Sequence, residues 1–240
     1  MKPRLLTCSC VLTVAAFSGC NSAPSRSAST ESARAQSLPA QPVAQDDARP
    51  RRHSNNSTSA RPGEFAFYLL NLSWSPEFCF HHADNPQCAA HPGFVVHGLW
   101  PQNDDGTYPE HCSDAPGPGD ANSYADLQPT ASLVEHEWQA HGTCSGLSAE
   151  AYFALTRRAR AKVRIPAAFS GSTQPRSEKP EAILDQFTQI NAGFPRESFV
   201  LSCGNNYLTA IEACFDKKLN PVACEGVRSC RADSVRITPR

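Results

Sequence analysis

Along this chain the apolar residues change period several times, and each change predicts an element. From Glu64 to Trp74 the run Glu-Phe-Ala-Phe-Tyr-Leu-Leu-Asn-Leu-Ser-Trp is dense in aromatic and aliphatic residues and stops at Ser75-Pro76, which predicts a central strand. A second, shorter strand is predicted at residues 93–97, ended by Gly98 and Pro101. The Cys, His, Asn and Pro-rich stretch between the two reads as a loop. Residues 102–122 are dominated by Asn, Asp, Gly and Pro, so a long surface loop is expected there, held down by Cys112.

The pattern then becomes helical. Leu133, Val134, Trp138 and Ala140 recur among polar residues over about 130–142, which suits a helix. Ser148 is placed to cap the next helix, which runs through Tyr152, Phe153 and Leu155 to about Val163 before Pro166 ends it. Ile183, Leu184, Phe187 and Ile190 mark a third helix over 180–191. Strands are predicted at 198–202, 207–215 and 234–238. This mixed order points to an α+β fold rather than a regular βαβ repeat, and no internal repeat is visible.

At 240 residues the chain has room for one sizeable domain once its ends are trimmed. The net charge of -1 advertises neither a nucleic-acid nor a membrane partner in bulk, so an anionic substrate would have to be held by local groups. Residues 1–20 read as a targeting segment, with Lys2 and Arg4 ahead of an apolar run, Leu5 to Phe17, too short to span a membrane. The run ends in Phe17-Ser18-Gly19-Cys20, which resembles a bacterial lipoprotein signal with Cys20 as the lipidated residue. Simple cleavage to a soluble periplasmic or secreted protein is the alternative.

From Asn21 to about Pro62 the chain has almost no large apolar residues and cannot offset its ordering entropy, so a disordered linker over 21–62 is expected. Arg49, Arg51, Arg52 and Arg61 fall in it, as does His53. The folded domain is therefore expected over 63–240. Removing Cys8, Cys10 and Cys20 from the eleven cysteines leaves eight in that domain, and four disulfides are expected in an exported chain. Spacing alone allows 105 connectivities for eight cysteines. A zinc cluster would need close Cys-x-x-Cys pairs, and none is present.

Candidate chemistry concentrates in Phe94-Val-Val-His-Gly-Leu-Trp-Pro-Gln102 and His136-Glu-Trp-Gln-Ala-His-Gly-Thr-Cys144. On a helix, Glu137 and His141 are four residues apart and share a face. His136 and His141 are five apart, about 140° around the helix, where a zinc-binding His-Glu-x-x-His motif needs both imidazoles on one face. A metallohydrolase is thus a poor reading. Two imidazoles facing one pocket can act as base and acid in one turnover, since His titrates near working pH. RNA suits such a pair, because its 2'-hydroxyl already sits beside the phosphorus and cleavage needs neither metal nor water in the first step.

Both segments resemble the two active-site motifs of the ribonuclease T2 family. The first matches fully, and the second matches His-Glu-Trp-x-Lys-His-Gly-Thr-Cys except that Ala140 replaces Lys. The likeness extends to Leu72-Ser-Trp-Ser-Pro-Glu-Phe-Cys79 and Ile211-Glu-Ala-Cys-Phe-Asp-Lys-Lys-Leu219, so it spans about residues 64–238. It implies a central antiparallel sheet packed with several helices. It implies His141 as general base on the 2'-hydroxyl, His97 as general acid to the leaving oxygen, Glu137 as a stabiliser of the phosphorane and His136 as a phosphate ligand.

Trp100 and Tyr108 fall where the family stacks a base, and Gln102 stands where some members carry Asp, so low base specificity is expected. The implied disulfides join Cys79 to Cys88, Cys112 to Cys144, Cys203 to Cys230 and Cys214 to Cys224. No metal and no cofactor are implied. The implied substrate is single-stranded RNA and not DNA, cut through a 2',3'-cyclic phosphate by a monomer whose only membrane contact would be a lipid on Cys20.

Loss of the family Lys removes one preorganised donor, worth roughly 10² to 10³ in rate, while an acid and a base each supply about 10² to 10⁴. A slower enzyme is expected, and a ribonuclease-fold RNA-binding protein of weak or no activity is the alternative. Trp74 and Trp138 read as core. No role is expected of His81, His82, His91 or His111.

Overall fold

The computed structural model describes residues 57–90, 92–171 and 173–240. The targeting segment, the linker up to residue 56, and with them Cys20, His53 and also His91, lie outside the described residues. The chain begins with β1 (Ser57–Thr58), β2 (Phe67–Trp74), α1 (Ser75–His81), β3 (Phe94–Gln102) and β4 (Tyr108–Pro109). It continues through α2 (Ala131–Ala140), α3 (Ala149–Lys162), β5 (Arg176–Glu178) and α4 (Pro180–Ile190), and closes with β6 (Phe199–Gly204), β7 (Tyr207–Phe215) and β8 (Val235–Ile237).

This is the expected α+β fold. A six-stranded sheet runs β3-β2-β7-β8-β5, with β6 also paired to β7. The β2–β3, β2–β7, β6–β7 and β5–β8 pairs are antiparallel, and Tyr207 opposite Arg236 is a parallel contact between β7 and β8. Strand β2 carries seven buried residues in eight, as a strand covered on both faces must. One face meets α2, α3 and α4 through Leu70, Leu72, Trp138, Phe153, Phe187 and Phe199, each no more than 1% exposed. Burying a side chain of this size stabilises by about 1.5–3 kcal/mol. A smaller cluster of Phe67, Leu69, Val200, Cys214 and Cys224 covers the other face, with Trp100 packed against it.

Three expectations need correction. The stretch after Trp74 is not a plain loop: Pro76 in the first turn starts α1, because a proline lacks only an N–H that the first turn leaves unpaired anyway. Second, β3 does not stop at Gly98 but continues to Gln102. It is an edge strand, so Pro101 costs no ladder bond on its open side, and a bulge absorbs the irregularity at residue 97. Third, α2 ends at Ala140, and a 3₁₀ turn over Gly142–Ser145 follows.

Helices α3 and α4 lie close to their predicted limits, with the Ser148 side chain accepting from the Ala151 N–H at the start of α3. Ser57 and Thr58, inside the stretch expected as linker, pair in parallel with Tyr108 and Pro109. Four disulfides join Cys79–Cys88, Cys112–Cys144, Cys203–Cys230 and Cys214–Cys224. Among the described residues no helix is long and apolar enough to cross a membrane.

Candidate active site

The pairing of β2 with β3 passes from Asn71 opposite Gly98 to Leu72 opposite Val96, which leaves His97 as the extra residue of a bulge. A bulge bends the strand locally and re-aims the side chain it carries. The site is pinned on both sides. The Gln128 amide donates to the His97 carbonyl, and the Tyr152 hydroxyl donates to the Leu99 carbonyl at 2.9 Å. Gln128 and Tyr152 are both fully buried, so the backbone around His97 is held by core residues rather than by surface contacts.

Helix α2 brings Glu137 to this bulge. Thr130 starts the helix by accepting from the Leu133 N–H, a side-chain cap of the usual kind. The Glu137 carboxylate is fully buried. Its Oε1 lies 3.1 Å from His97 Nε2, and its Oε2 accepts from Trp100 Nε1 at 2.7 Å. Trp100 thereby stands between the two imidazoles, with ring centroids 5.5 Å from His97 and 5.2 Å from His141. Its indole N–H is committed to Glu137.

His141 is the residue after the helix, its N–H still bonded to the Glu137 carbonyl at 3.1 Å. Burial pushes its pKa down to about 4, against the pull of the Glu137 carboxylate, and the nearby His136, His97 and His111 push the same way as burial. Its Nδ1 is buried and meets no hydrogen-bond partner among the described residues. The ring is therefore neutral at neutral pH. For Glu137, burial pushes the carboxyl up, but the charge and hydrogen bond of His97, the charge of His141 and the Trp100 N–H outweigh it and hold it below the ordinary value.

The remaining expected site residues fall around this core. His136 is exposed on α2 and close enough for its charge to act on His141. Tyr108 is half-buried on β4, at the entrance to the loop that the Cys112–Cys144 disulfide ties to the 3₁₀ turn after α2. Burial and the nearby Glu110 raise its pKa. Ala140 is 3% exposed, and its carbonyl accepts from the His111 N–H at 2.9 Å. His111 itself adopts a left-handed φ of 52°, uncommon for a residue with a side chain.

Sequence reasoning missed three contributors: Gln128, Tyr152 and His111. The first two act over 31 and 53 residues of separation, and no local pattern encodes such contacts. His111 was legible only as the neighbour of a cysteine that binds back to the helix. Trp74 and Trp138, expected in the core, are each 1% exposed. Among the described residues no three His, Cys, Asp or Glu side chains are arranged to hold a metal ion.

Two carboxylate oxygens thus tie an acid-capable imidazole and an indole to one helix, beside a second imidazole that burial keeps neutral. Residues 65–224 match the Ribonuclease T2 family. A ribonuclease of Aeromonas hydrophila is 43% identical over 120 residues, covering 49% of this chain and 55% of that protein. Ribonuclease DdI of Dictyostelium discoideum is 30% identical over 183 residues, covering 66% of this chain and 77% of that protein.

Among solved structures, an RNase-related protein from Calystegia sepium superposes with a TM-score of 0.61 at 26% identity, over 73% of this chain and 98% of that one. With the fold and the match over residues 65–224 in agreement, the chain belongs to the ribonuclease T2 family.

Proposed function

We propose that this chain is an exported, metal-independent endoribonuclease that cleaves single-stranded RNA through a 2',3'-cyclic phosphate, with low base specificity. One observation carries the reading: the Glu137 carboxylate bridges His97 at 3.1 Å and Trp100 at 2.7 Å beside a buried, neutral His141. A neutral imidazole is ready to accept a proton, and an imidazole paired with a carboxylate is ready to hold one.

In the first step His141 takes the proton of the 2'-hydroxyl and the freed oxygen attacks phosphorus. The bond to the 5' oxygen breaks, and His97 supplies that oxygen with a proton. In the second step water replaces the 5' oxygen and the two imidazoles exchange roles, opening the cyclic phosphate.

Glu137 has no exposed surface, so its role is to position His97 and Trp100 rather than to touch the phosphorane. Trp100 and Tyr108 would stack a base, and His136 would contact phosphate. Four disulfides favour an oxidising compartment, consistent with a periplasmic or secreted monomer, lipid-anchored if Cys20 is modified. The domain is proposed to begin after residue 62, behind a cleaved signal and a linker.

The second reading, a weakly active or inactive RNA-binding protein, is favoured by Ala140 alone. Incubating the purified protein with RNA in EDTA separates the two readings. Products ending in 2',3'-cyclic phosphate support the first, and absence of cleavage at high enzyme concentration supports the second. Cleavage lost only on chelation would point to metal chemistry. His97→Ala and His141→Ala should each abolish cleavage with the fold intact, and activity surviving in either would overturn the assignment.

A further inference from the structure

Away from the imidazole cluster, a groove of about 900 Å³ opens between α1, β5, the start of β7 and the chain end after β8. Its walls combine aromatic rings with arginines. Phe80 is 75% exposed, although burying a phenyl ring is favourable by some kcal/mol, and His81 stands edge-on against it at 5.1 Å. Across the groove the Arg236 guanidinium lies over the Tyr207 ring at 5.3 Å and donates to its hydroxyl at 3.2 Å.

The charges in the groove are one-sided. Arg176 is bridged by Glu178 at 2.6 Å, but among the described residues no carboxylate bridges Arg236. The groove's carboxylate, Glu77, is itself buried and accepts from the Thr238 hydroxyl. Arg240 lies at the rim and donates to the Ser170 carbonyl. An exposed phenyl face opposite an Arg236 that no carboxylate bridges suits a flexible polyanion with stackable groups.

We propose that this groove is a second, non-catalytic binding site for single-stranded RNA, stacking a base on Phe80 and pairing phosphate with Arg236. The proposal takes the identity of its ligand from the ribonuclease reading above. The groove is near enough to share a strand with the catalytic site. Gly93 packs against the Arg240 side chain, and His97 is four residues further along extended backbone, about 13 Å away. Long RNA would engage both places, and a dinucleotide only the catalytic one.

The test is fluorescence anisotropy with the full chain, using a labelled 2'-O-methyl oligouridylate of about twelve nucleotides that cannot be cleaved. Phe80→Ala and Arg236→Gln should each weaken binding roughly five- to tenfold, and Arg236→Gln should lower the salt slope by nearly one. Phe80→Leu keeps an apolar side chain without a ring face and should behave as Phe80→Ala does.

Cleavage of a dinucleoside monophosphate should be unchanged in all three variants. Equal affinity of wild type and variants for the oligomer would overturn the proposal. So would full affinity in Phe80→Leu, which would mark the groove as a docking site for an apolar partner. If the wild type cleaves nothing but binding still depends on Phe80 and Arg236, the ribonuclease reading fails and the groove stands.

Discussion

Gly98 makes room for Glu137: a Cβ at position 98 would overlap Glu137 Oε2 and crowd Trp100 Nε1. The smallest residue in the first motif thus sets how closely the helix carboxylate approaches the strand that carries His97. Gly98→Ala should push Glu137 away from both its partners. We expect kcat to fall about 10²-fold, as for an ångström-scale misplacement of catalytic groups, with far-ultraviolet circular dichroism unchanged. Wild-type kcat in this variant would show that the carboxylate need not sit where it does.

Replacing the carboxylate by an isosteric amide isolates its charge. Glu137→Gln keeps an acceptor for Trp100 Nε1 but loses the negative partner of His97 Nε2. Activity should fall roughly 10- to 100-fold. A residue that merely fills space would not move the pH profile, whereas here the alkaline limb of kcat/KM should shift to lower pH, because the imidazolium loses its counter-charge. An unmoved alkaline limb would separate Glu137 from the acid.

How much of this was legible in the sequence depended on the range of the contact. Strand β7 lies at its predicted limits, Tyr207–Phe215, and a turn at Asn205 and Asn206, both with left-handed φ, sets its start. β3 was cut short because Gly98 and Pro101 ordinarily break strands. At a sheet edge they do not, and the bulge between them and Val96 turned an apparent stop into the feature that presents His97. Helical spacing places Glu137 on the face of His141, whose charge acts on it, but its carboxylate also reaches His97, 40 residues away in sequence, and only the packed fold shows that.

The depressed pKa of His141 has two consequences with the same sign. The base must be neutral, so kcat/KM should hold down to about pH 4 and then fall tenfold per unit as the ring gains a proton. Stability follows the linkage between the folded value near 4 and an unfolded value near 6.5. In that window the unfolded chain binds the extra proton, so His141 contributes its full stability above the window and loses about 3 kcal/mol as pH falls through it. Glu137, also held below its ordinary value, loses its contribution at lower pH still. Urea midpoints measured at pH 7 and pH 4 should show the loss in wild type and a smaller one in His141→Asn.

Ala140 poses the sharpest quantitative question. The position is 3% exposed and its carbonyl is capped by the His111 N–H, so a lysine there must lead its aliphatic stem out past the His111 turn to set its ammonium near the phosphate, as long cationic side chains can. Ala140→Lys is expected to raise kcat by up to about 10², the worth of one preorganised donor. His111 stands beside that place, one residue before the disulfide that ties the loop to Cys144, and its charge already acts on His141. His111→Ala should therefore lower activity in the wild-type chain and have little effect in the Ala140→Lys background, because the ammonium would then supply the charge. A double-mutant cycle measures the coupling directly. Additive effects would mean that the two positions serve different oxygens, and an unchanged rate in Ala140→Lys would mean that the imidazoles already neutralise the phosphoryl group.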